Sequence, residues 1–202
     1  MGMAETVGCR LGDLVKAAEI VRSGGVIVYP TDTVYGLGCN PYNREAVEKV
    51  FKVKGRPGKP LPILVSSPQE AFRIARFSLQ ALKLAGFFWP GALTLVLERK
   101  PSAPAHLGSR RLVGVRWPKH RDACRLIALC GGLLVGTSAN PTGEQPALTA
   151  SEAEARLGEK VDLILDGGPA RLGEASTVVD LSGKKPKVLR GGALPVEEKL
   201  KV

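Results

Sequence analysis

Apolar residues along the chain alternate between helical spacing and short uninterrupted runs. Between residues 14 and 21 they recur at intervals of three and four, which predicts a helix that Asp13 would cap and Gly24 would end. The short runs predict strands at Val26–Tyr29, Pro62–Val65, Leu93–Leu97, Leu112–Arg116, Leu133–Val135, Val161–Leu165, Thr177–Leu181 and Lys187–Leu189. Further helices are predicted at Glu45–Phe51, after the capping sequence Ser67–Glu70, near His120–Leu129, at Ser151–Leu157 and at the C-terminus.

This order of elements predicts the α/β class. Several strands in the second half of the chain follow one another through short connections, so we expect a mixed sheet flanked by helices rather than a purely parallel one. No repeat, low-complexity tract or linker divides the 202 residues. The sequence therefore predicts a single domain over residues 1–202.

Composition and residue spacing exclude several classes of protein. No apolar run approaches the ~20 residues of a membrane span, and no secretory signal is visible, so we expect a cytoplasmic protein without a membrane partner. The four cysteines and two histidines lack the spacing of a zinc site or a disulfide framework, and no protein-held metal is expected. The net charge of +10 favours a polyanionic partner, although a surplus of surface lysines gives the same total.

The familiar nucleotide-binding motifs are absent. The chain contains no Walker P-loop, and Gly36-Leu37-Gly38 begins like a dinucleotide-binding turn but runs into Pro41 instead of a helix. Aromatic residues make up only 5% of the chain, too few for an RNA-stacking platform. A nucleotide site in this protein requires another arrangement.

The first candidate arrangement is the basic segment Lys52–Pro60. Lys54, Arg56 and Lys59 lie there with no acidic residue among them, and the glycines and prolines of the segment argue against a regular helix. Crowded cations repel one another, and a triphosphate would offset this repulsion because arginine offers a planar fork to phosphate oxygens. A solvated loop that contacts an RNA backbone accounts for the same residues equally well.

The second candidate arrangement directly follows the apolar strand Leu133–Val135. Thr137, Ser138 and Asn140 supply neutral hydrogen-bonding groups at a strand end, where open α/β sheets bind ligands. The serine, asparagine, proline and glycine content of this segment is also typical of an ordinary turn.

Three further polar side chains stand out near other strand ends. Thr33 follows the strand Val26–Tyr29 and would help to form a small polar pocket, while its neighbour Asp32 is either a magnesium ligand or a turn former. Arg116 and Arg190 each end an apolar strand. They are either solvated or share an anionic ligand.

In this order, seven segments resemble the YrdC-like family of threonylcarbamoyl-AMP synthases. They cover nearly the whole chain, with a core over about residues 12–192, and the chain is similar to the stand-alone form without an added C-terminal domain. The seven segments are Pro30–Gly38, Lys54–Pro57, Trp89–Thr94, Val115–Pro118, Ser138–Asn140, Ser176–Val178 and Leu189–Gly192.

The resemblance implies a strongly twisted sheet with a concave, positively charged face. It also implies a nucleotidyltransferase that converts L-threonine, bicarbonate and ATP, with Mg²⁺ held through the phosphates, to threonylcarbamoyl-AMP and pyrophosphate. A partner transferase would then pass the threonylcarbamoyl group to the adenosine next to the anticodon of tRNA. Affinity for tRNA or double-stranded RNA is expected from the same basic face.

The resemblance also assigns roles to individual residues. Lys54, Arg56, Ser138 and Asn140 form the expected catalytic set; Arg56, Lys59, Ser138, Asn140 and Arg190 contact ATP; and Thr33, Arg116, Thr137 and Ser176 bind threonine, with Arg116 on its carboxylate. Two positions depart from the pattern. Leu64 occupies a position where some members have a threonine-contacting histidine, and the loop between Arg56 and Pro60 is one residue shorter than usual.

Two alternatives therefore stay open at the level of sequence. One is a paralogous enzyme of the same fold with another substrate. The other is an RNA-binding module that uses the basic face of the same fold.

Overall fold

The computed structural model describes residues 2–55, 57–196 and 199–200. Within these ranges the chain folds into an α/β structure. The helices are α1 (Leu11–Arg22), α2 (Arg44–Lys54), α3 (Pro68–Ile74), α4 (Leu79–Phe88), α5 (Arg121–Leu129) and α6 (Ala150–Leu157). The strands are β1 (Glu5–Val7), β2 (Ile27–Tyr29), β3 (Gly36–Gly38), β4 (Ile63–Val65), β5 (Leu93–Glu98), β6 (Leu112–Arg116), β7 (Leu133–Val135), β8 (Thr137–Ser138), β9 (Leu163–Leu165), β10 (Thr177–Asp180) and β11 (Lys187–Arg190).

The described strands form two mixed sheets instead of the one that the sequence predicts. The first has the order β1-β9-β2-β3-β8, and the second has the order β11-β10-β5-β6-β4-β7. Both contain parallel and antiparallel neighbours, as expected from the short connections late in the chain. The chain passes from the second sheet to the first between β7 and β8, where Gly136 is the only residue between the two strands.

Local sequence signals set the helix boundaries. Ser67 accepts a hydrogen bond from the Glu70 backbone N–H at 3.4 Å, so the predicted cap of α3 is confirmed. Gly24 adopts a φ of 85° just beyond α1, a conformation that glycine adopts without strain. The sequence predicts Asp13 as the cap of α1, but the N-cap residue is Arg10. Asp13 lies inside the first turn, where its carboxylate accepts from the Arg10 backbone N–H at 3.1 Å. The helix predicted at the C-terminus falls mostly on residues outside the described ranges.

Helices cover both faces of the central strands. Alternate strand residues point to opposite faces, so Ile63 and Val65 join one core whereas Leu64 joins the other. Helices α1 and α5 pack together over the second core, which contains residues from both sheets. No helix within the described ranges is both long enough and apolar enough to cross a bilayer.

The glycine-rich strand β3 depends on the absence of side chains at Gly36 and Gly38. The ring of Tyr29 lies against both glycines, and its hydroxyl donates to the Val135 carbonyl oxygen at 2.9 Å. A methyl group on Gly38 would lie 2.3 Å from that carbonyl oxygen and 2.8 Å from the Tyr29 ring. Both contacts are shorter than packed cores tolerate.

Replacing Gly38 by alanine is therefore expected to lower the free energy of unfolding by about 1–3 kcal/mol. Urea unfolding followed by circular dichroism measures this change. Gly12→Ala in α1 is the matched control because its new methyl group meets nothing within 4 Å, and it should be stabilising by about 0.5–1 kcal/mol. Equal stability of Gly38→Ala and the wild type would show that the region around β3 adjusts freely.

Candidate active site

A cavity of about 400 Å³ lies between the two sheets. Tyr29, Gly36 and Ser138 line it from the first sheet, and Thr94 and Arg116 line it from the second. The sequence places these residues at or near strand ends, and the pairing of β3 with β8 brings Gly36 opposite Ser138.

The structure brings six of the predicted site residues to this cavity, although they are far apart in sequence. Three other predicted residues, Lys54, Lys59 and Asn140, do not line it. Arg56 lies outside the described residues, so its predicted contact with phosphate stays a prediction. The six lining residues are Thr33, Arg116, Thr137, Ser138, Ser176 and Arg190.

Lys54 is buried at the end of α2, with 2% of its surface exposed. The prediction that the basic segment is irregular is thus wrong for residues 52–54, which continue the helix up to Gly55 in the left-handed conformation. The Lys54 ammonium donates to the Ser138 carbonyl oxygen at 2.6 Å and to the Asn140 side-chain oxygen at 3.0 Å. It also donates to the Asn140 carbonyl oxygen at 2.5 Å, so Lys54 connects α2 to the loop after β8.

The Asn140 side chain is engaged from both sides by protein groups. Its oxygen accepts from Lys54, and its amide nitrogen donates to the Pro141 and Glu144 carbonyl oxygens at 2.9 and 2.7 Å. Asn140 therefore stabilises the loop after β8 without lining the cavity, whereas Ser138, two residues earlier, forms part of the cavity wall. Lys59 is exposed on the connection that leads to Pro60, a residue of the cavity rim.

Arg116 is buried at the end of β6, with 5% of its surface exposed. Its Nε donates to the Gly91 carbonyl oxygen at 2.9 Å, and its Nη1 donates to Thr33 Oγ1 at 2.8 Å. Its Nη2 forms a salt bridge of 2.5 Å with Oδ1 of Asp32. The interpretation of Arg116 as a solvated strand end is thus wrong.

The charge of Arg116 is maintained by its neighbour. Burial lowers the pKa of Arg116, and the carboxylate of Asp32 acts in the opposite direction. Arg190 lowers the pKa of Arg116 further, so the two arginines lie close enough to repel each other. An anionic ligand between the two arginines would relieve this repulsion. This agrees with the hypothesis from the sequence that Arg116 and Arg190 share one anionic ligand.

Ser176, directly before β10, contacts Arg190 at the end of β11 and Thr94 of β5. Its hydroxyl hydrogen-bonds with that of Thr94 at 2.8 Å, and its carbonyl oxygen accepts from Arg190 Nη2 at 2.7 Å. Thr94 is a polar residue inside the apolar strand β5, and it received no role from the sequence. Hydroxyls and arginine together offer a set of donors that matches carboxylate and phosphate oxygens.

The family model of the Sua5/YciO/YrdC domain, which bears the description telomere recombination, matches residues 19–192. The chain belongs to the Sua5/YciO/YrdC family. This confirms the resemblance that the seven ordered segments indicate.

Known members of the Sua5/YciO/YrdC family are similar to this chain over nearly its whole length. The threonylcarbamoyl-AMP synthase of Pyrococcus abyssi is 40% identical over 189 residues, which are 92% of this chain and 56% of the relative. The crystal structure of P. abyssi Sua5 complexed with L-threonine matches with a TM-score of 0.91 at 37% identity, over 99% of this chain and 60% of that one. E. coli YciO matches with a TM-score of 0.89 at 29% identity, over 96% of this chain and 98% of that one. This chain thus spans little more than half the length of the P. abyssi protein.

Carboxylates are sparse around the cavity among the described residues. Within the described ranges, no group of three or more His, Cys, Asp or Glu side chains is placed to hold a metal ion. Asp180 lines the cavity. Asp32 is paired with Arg116, a role that neither the magnesium-ligand nor the turn-former interpretation of this residue anticipated. A single carboxylate, together with the phosphates of a ligand and waters, is a donor set that Mg²⁺ accepts in proteins.

Tyr35 is a further residue of the cavity wall and lies within the segment Pro30–Gly38. Its hydroxyl donates to the Gly168 carbonyl oxygen at 2.7 Å and accepts from the Gly167 N–H at 3.3 Å. Burial raises the pKa of Tyr35 to about 12, so the phenol stays protonated at physiological pH. It fixes the loop after β9 against the cavity.

Proposed function

We propose that this protein is a threonylcarbamoyl-AMP synthase, which converts L-threonine, bicarbonate and ATP to threonylcarbamoyl-AMP and pyrophosphate. The observation that supports it most is the convergence of Thr33, Arg116, Ser138, Ser176 and Arg190 on one cavity, although they lie far apart in sequence. The names of the relatives support the same activity.

The proposed reaction has two bond-forming steps. The threonine amine takes up bicarbonate with loss of water and gives an N-carboxylate. An oxygen of this carboxylate then attacks the α-phosphorus of ATP, and pyrophosphate leaves. Such an adenylyl transfer gains more from positioning and charge neutralisation than from a general base, and the cavity offers two arginines and several hydroxyls for that purpose.

We place the threonine carboxylate at Arg116, with Thr33 and Ser176 beside it and Thr137 as a further contact. The nucleotide lies toward Ser138 and Arg190, where Lys54 and Asn140 hold the loop and Arg56 and Lys59 would reach the phosphates. Mg²⁺ bound to the ATP phosphates would neutralise part of their charge. Leu64 lines the same cavity, so an apolar side chain stands where some members have a histidine.

We place the protein in the cytoplasm, upstream of a transferase that passes the threonylcarbamoyl group to tRNA. Direct affinity for tRNA or double-stranded RNA stays a prediction from the charge of +10. A module that only binds RNA is not favoured, because Arg116 is buried in the wall of a cavity between the two sheets and is not part of an open basic face.

Pyrophosphate release from ATP is expected to require both L-threonine and bicarbonate. The measurement is a coupled pyrophosphate assay in which each substrate is omitted in turn, with bicarbonate removed by degassing. Release that is independent of either substrate would contradict the synthase. ATP-dependent release that responds to another amine or carbonyl donor instead would indicate a paralogous enzyme.

A further inference from the structure

Asp32 is one of the most deeply buried charged residues of the described chain, with 4% of its surface exposed. Its Oδ1 binds Arg116, whereas its Oδ2 is buried and lacks a hydrogen-bond partner. Buried carboxylate oxygens are normally satisfied, and an unsatisfied one costs stability. Folding alone does not account for such a residue, which directs attention to its effect on Arg116.

The guanidinium of Arg116 is fixed from three directions. Gly91 holds Nε, Thr33 holds Nη1 and Asp32 holds Nη2. Because a guanidinium has five N–H donors in one plane, three fixed directions determine its orientation and leave two donors for a ligand. Asp32 and Thr33 are neighbours in the loop between β2 and β3 of the first sheet, so one loop orients an arginine of the second sheet.

Asp32 does not line the cavity, whereas Arg116 and Thr33 do. Any effect of Asp32 on a ligand in the cavity must therefore pass through the groups that it contacts. The loop around Asp32 is itself fixed, since its backbone oxygen accepts from the Leu172 N–H at 3.1 Å. The backbone that carries the carboxylate is thus held by a contact that does not involve Arg116.

We propose that Asp32 is a positioning residue that orients the Arg116 guanidinium for the carboxylate of the amino-acid substrate. The inference rests on the proposed function for the identity of that substrate. In this role Asp32 acts on the substrate only through its ionic contact with Arg116 and does not touch the reacting atoms. The nucleotide side of the cavity should not depend on it.

Asp32→Asn tests this role through the kinetic constants. The KM for L-threonine should rise at least tenfold, while kcat and the KM for ATP change less than about threefold, because an interaction that holds substrate and transition state equally affects KM alone. Asp162→Asn is the control, since the Asp162 carboxylate accepts a hydrogen bond from the Val26 backbone N–H at 2.7 Å but does not line the cavity. It should leave both KM values unchanged.

A double-mutant cycle separates positioning from a general loss of structure. If Asp32 acts through Arg116, adding Asp32→Asn to an Arg116→Gln background should not raise the KM for threonine further. Additive effects, or equal rises of the KM for threonine and for ATP, would overturn the proposal. So would an unchanged KM for threonine in a folded Asp32→Asn variant.

Hydrogen exchange at Arg116 Nε–H provides a test that needs no substrate. Its resonance in ¹H–¹⁵N spectra can be assigned by its loss in Arg116→Lys. Exchange should be slow in the wild type and in Asp32→Glu, which keeps the carboxylate, and at least tenfold faster in Asp32→Asn. Unchanged exchange overturns the positioning role, whereas slow wild-type exchange without threonine-dependent activity refutes only the proposed function.

Discussion

Replacing Arg116 by glutamine is expected to reduce kcat/KM for L-threonine by a factor of about 10³ and to destabilise the protein by about 3–5 kcal/mol. Glutamine keeps a polar side chain in place but removes the charge and the planar fork that would bind a carboxylate. Asp32 is then left as a buried charge without its cation, which explains the loss of stability.

The two effects of Arg116→Gln can be separated by removing the charge of Asp32 as well. The double variant Arg116→Gln/Asp32→Asn has no buried unpaired charge, so most of the lost stability should return while the activity does not. Urea unfolding and pyrophosphate release, measured on the same preparations, give the two quantities. Recovery of activity in the double variant would show that Arg116 is only a structural partner of Asp32.

Replacing Lys54 by methionine is expected to lower the free energy of unfolding by about 3 kcal/mol or more and to reduce turnover by about 100-fold. Methionine matches the length of the lysine stem but has no donor. The carbonyl oxygens of Ser138 and Asn140 and the side-chain oxygen of Asn140 lose the ammonium that satisfies them. The loop after β8 would then no longer hold Ser138 in the cavity wall.

The control for Lys54→Met is the same substitution at the neighbouring exposed cation, Lys59→Met. Lys59 does not line the cavity, so stability should change by no more than about 0.5 kcal/mol. Thermal unfolding distinguishes the two variants, because the control concerns stability alone. A Lys54→Met variant that is as stable and active as the wild type would show that α2 does not need this connection.

Much of the fold follows from local patterns in the sequence. The apolar runs predict β5 and β6 to within a residue at each end, and Ser67 predicts the start of α3, because these signals lie within the elements themselves. Helix α4 escapes prediction because Leu79, Leu82 and Phe87 are exposed and obscure the apolar stripe of an amphipathic helix.

The features that the sequence does not predict depend on contacts between distant segments. β3 reads as a loop because glycine weakens strands, yet the Tyr29 ring on its glycines stabilises it as one. The residues that would form the site are visible as polar groups at strand ends, but their partners are not. Lys54 finds its acceptors 84 and 86 residues along the chain, and Arg116 finds Asp32 at a separation of 84. The ordered family segments predict that these residues belong to one site. They do not predict which residues contact the ligand and which support the cavity wall.

Because both sheets wall the cavity and only Gly136 separates β7 from β8, a bound substrate acts as a non-covalent cross-link between the two halves of the fold. Partial unfolding of either sheet destroys the site, so a substrate binds only the fully folded chain and increases the population of that state. At a concentration of 100 times Kd, a ligand adds about 2.7 kcal/mol to the stability of that state. Proteolysis of transiently opened molecules falls with their population. The lifetime of this protein in a cell should therefore follow the supply of its own substrates.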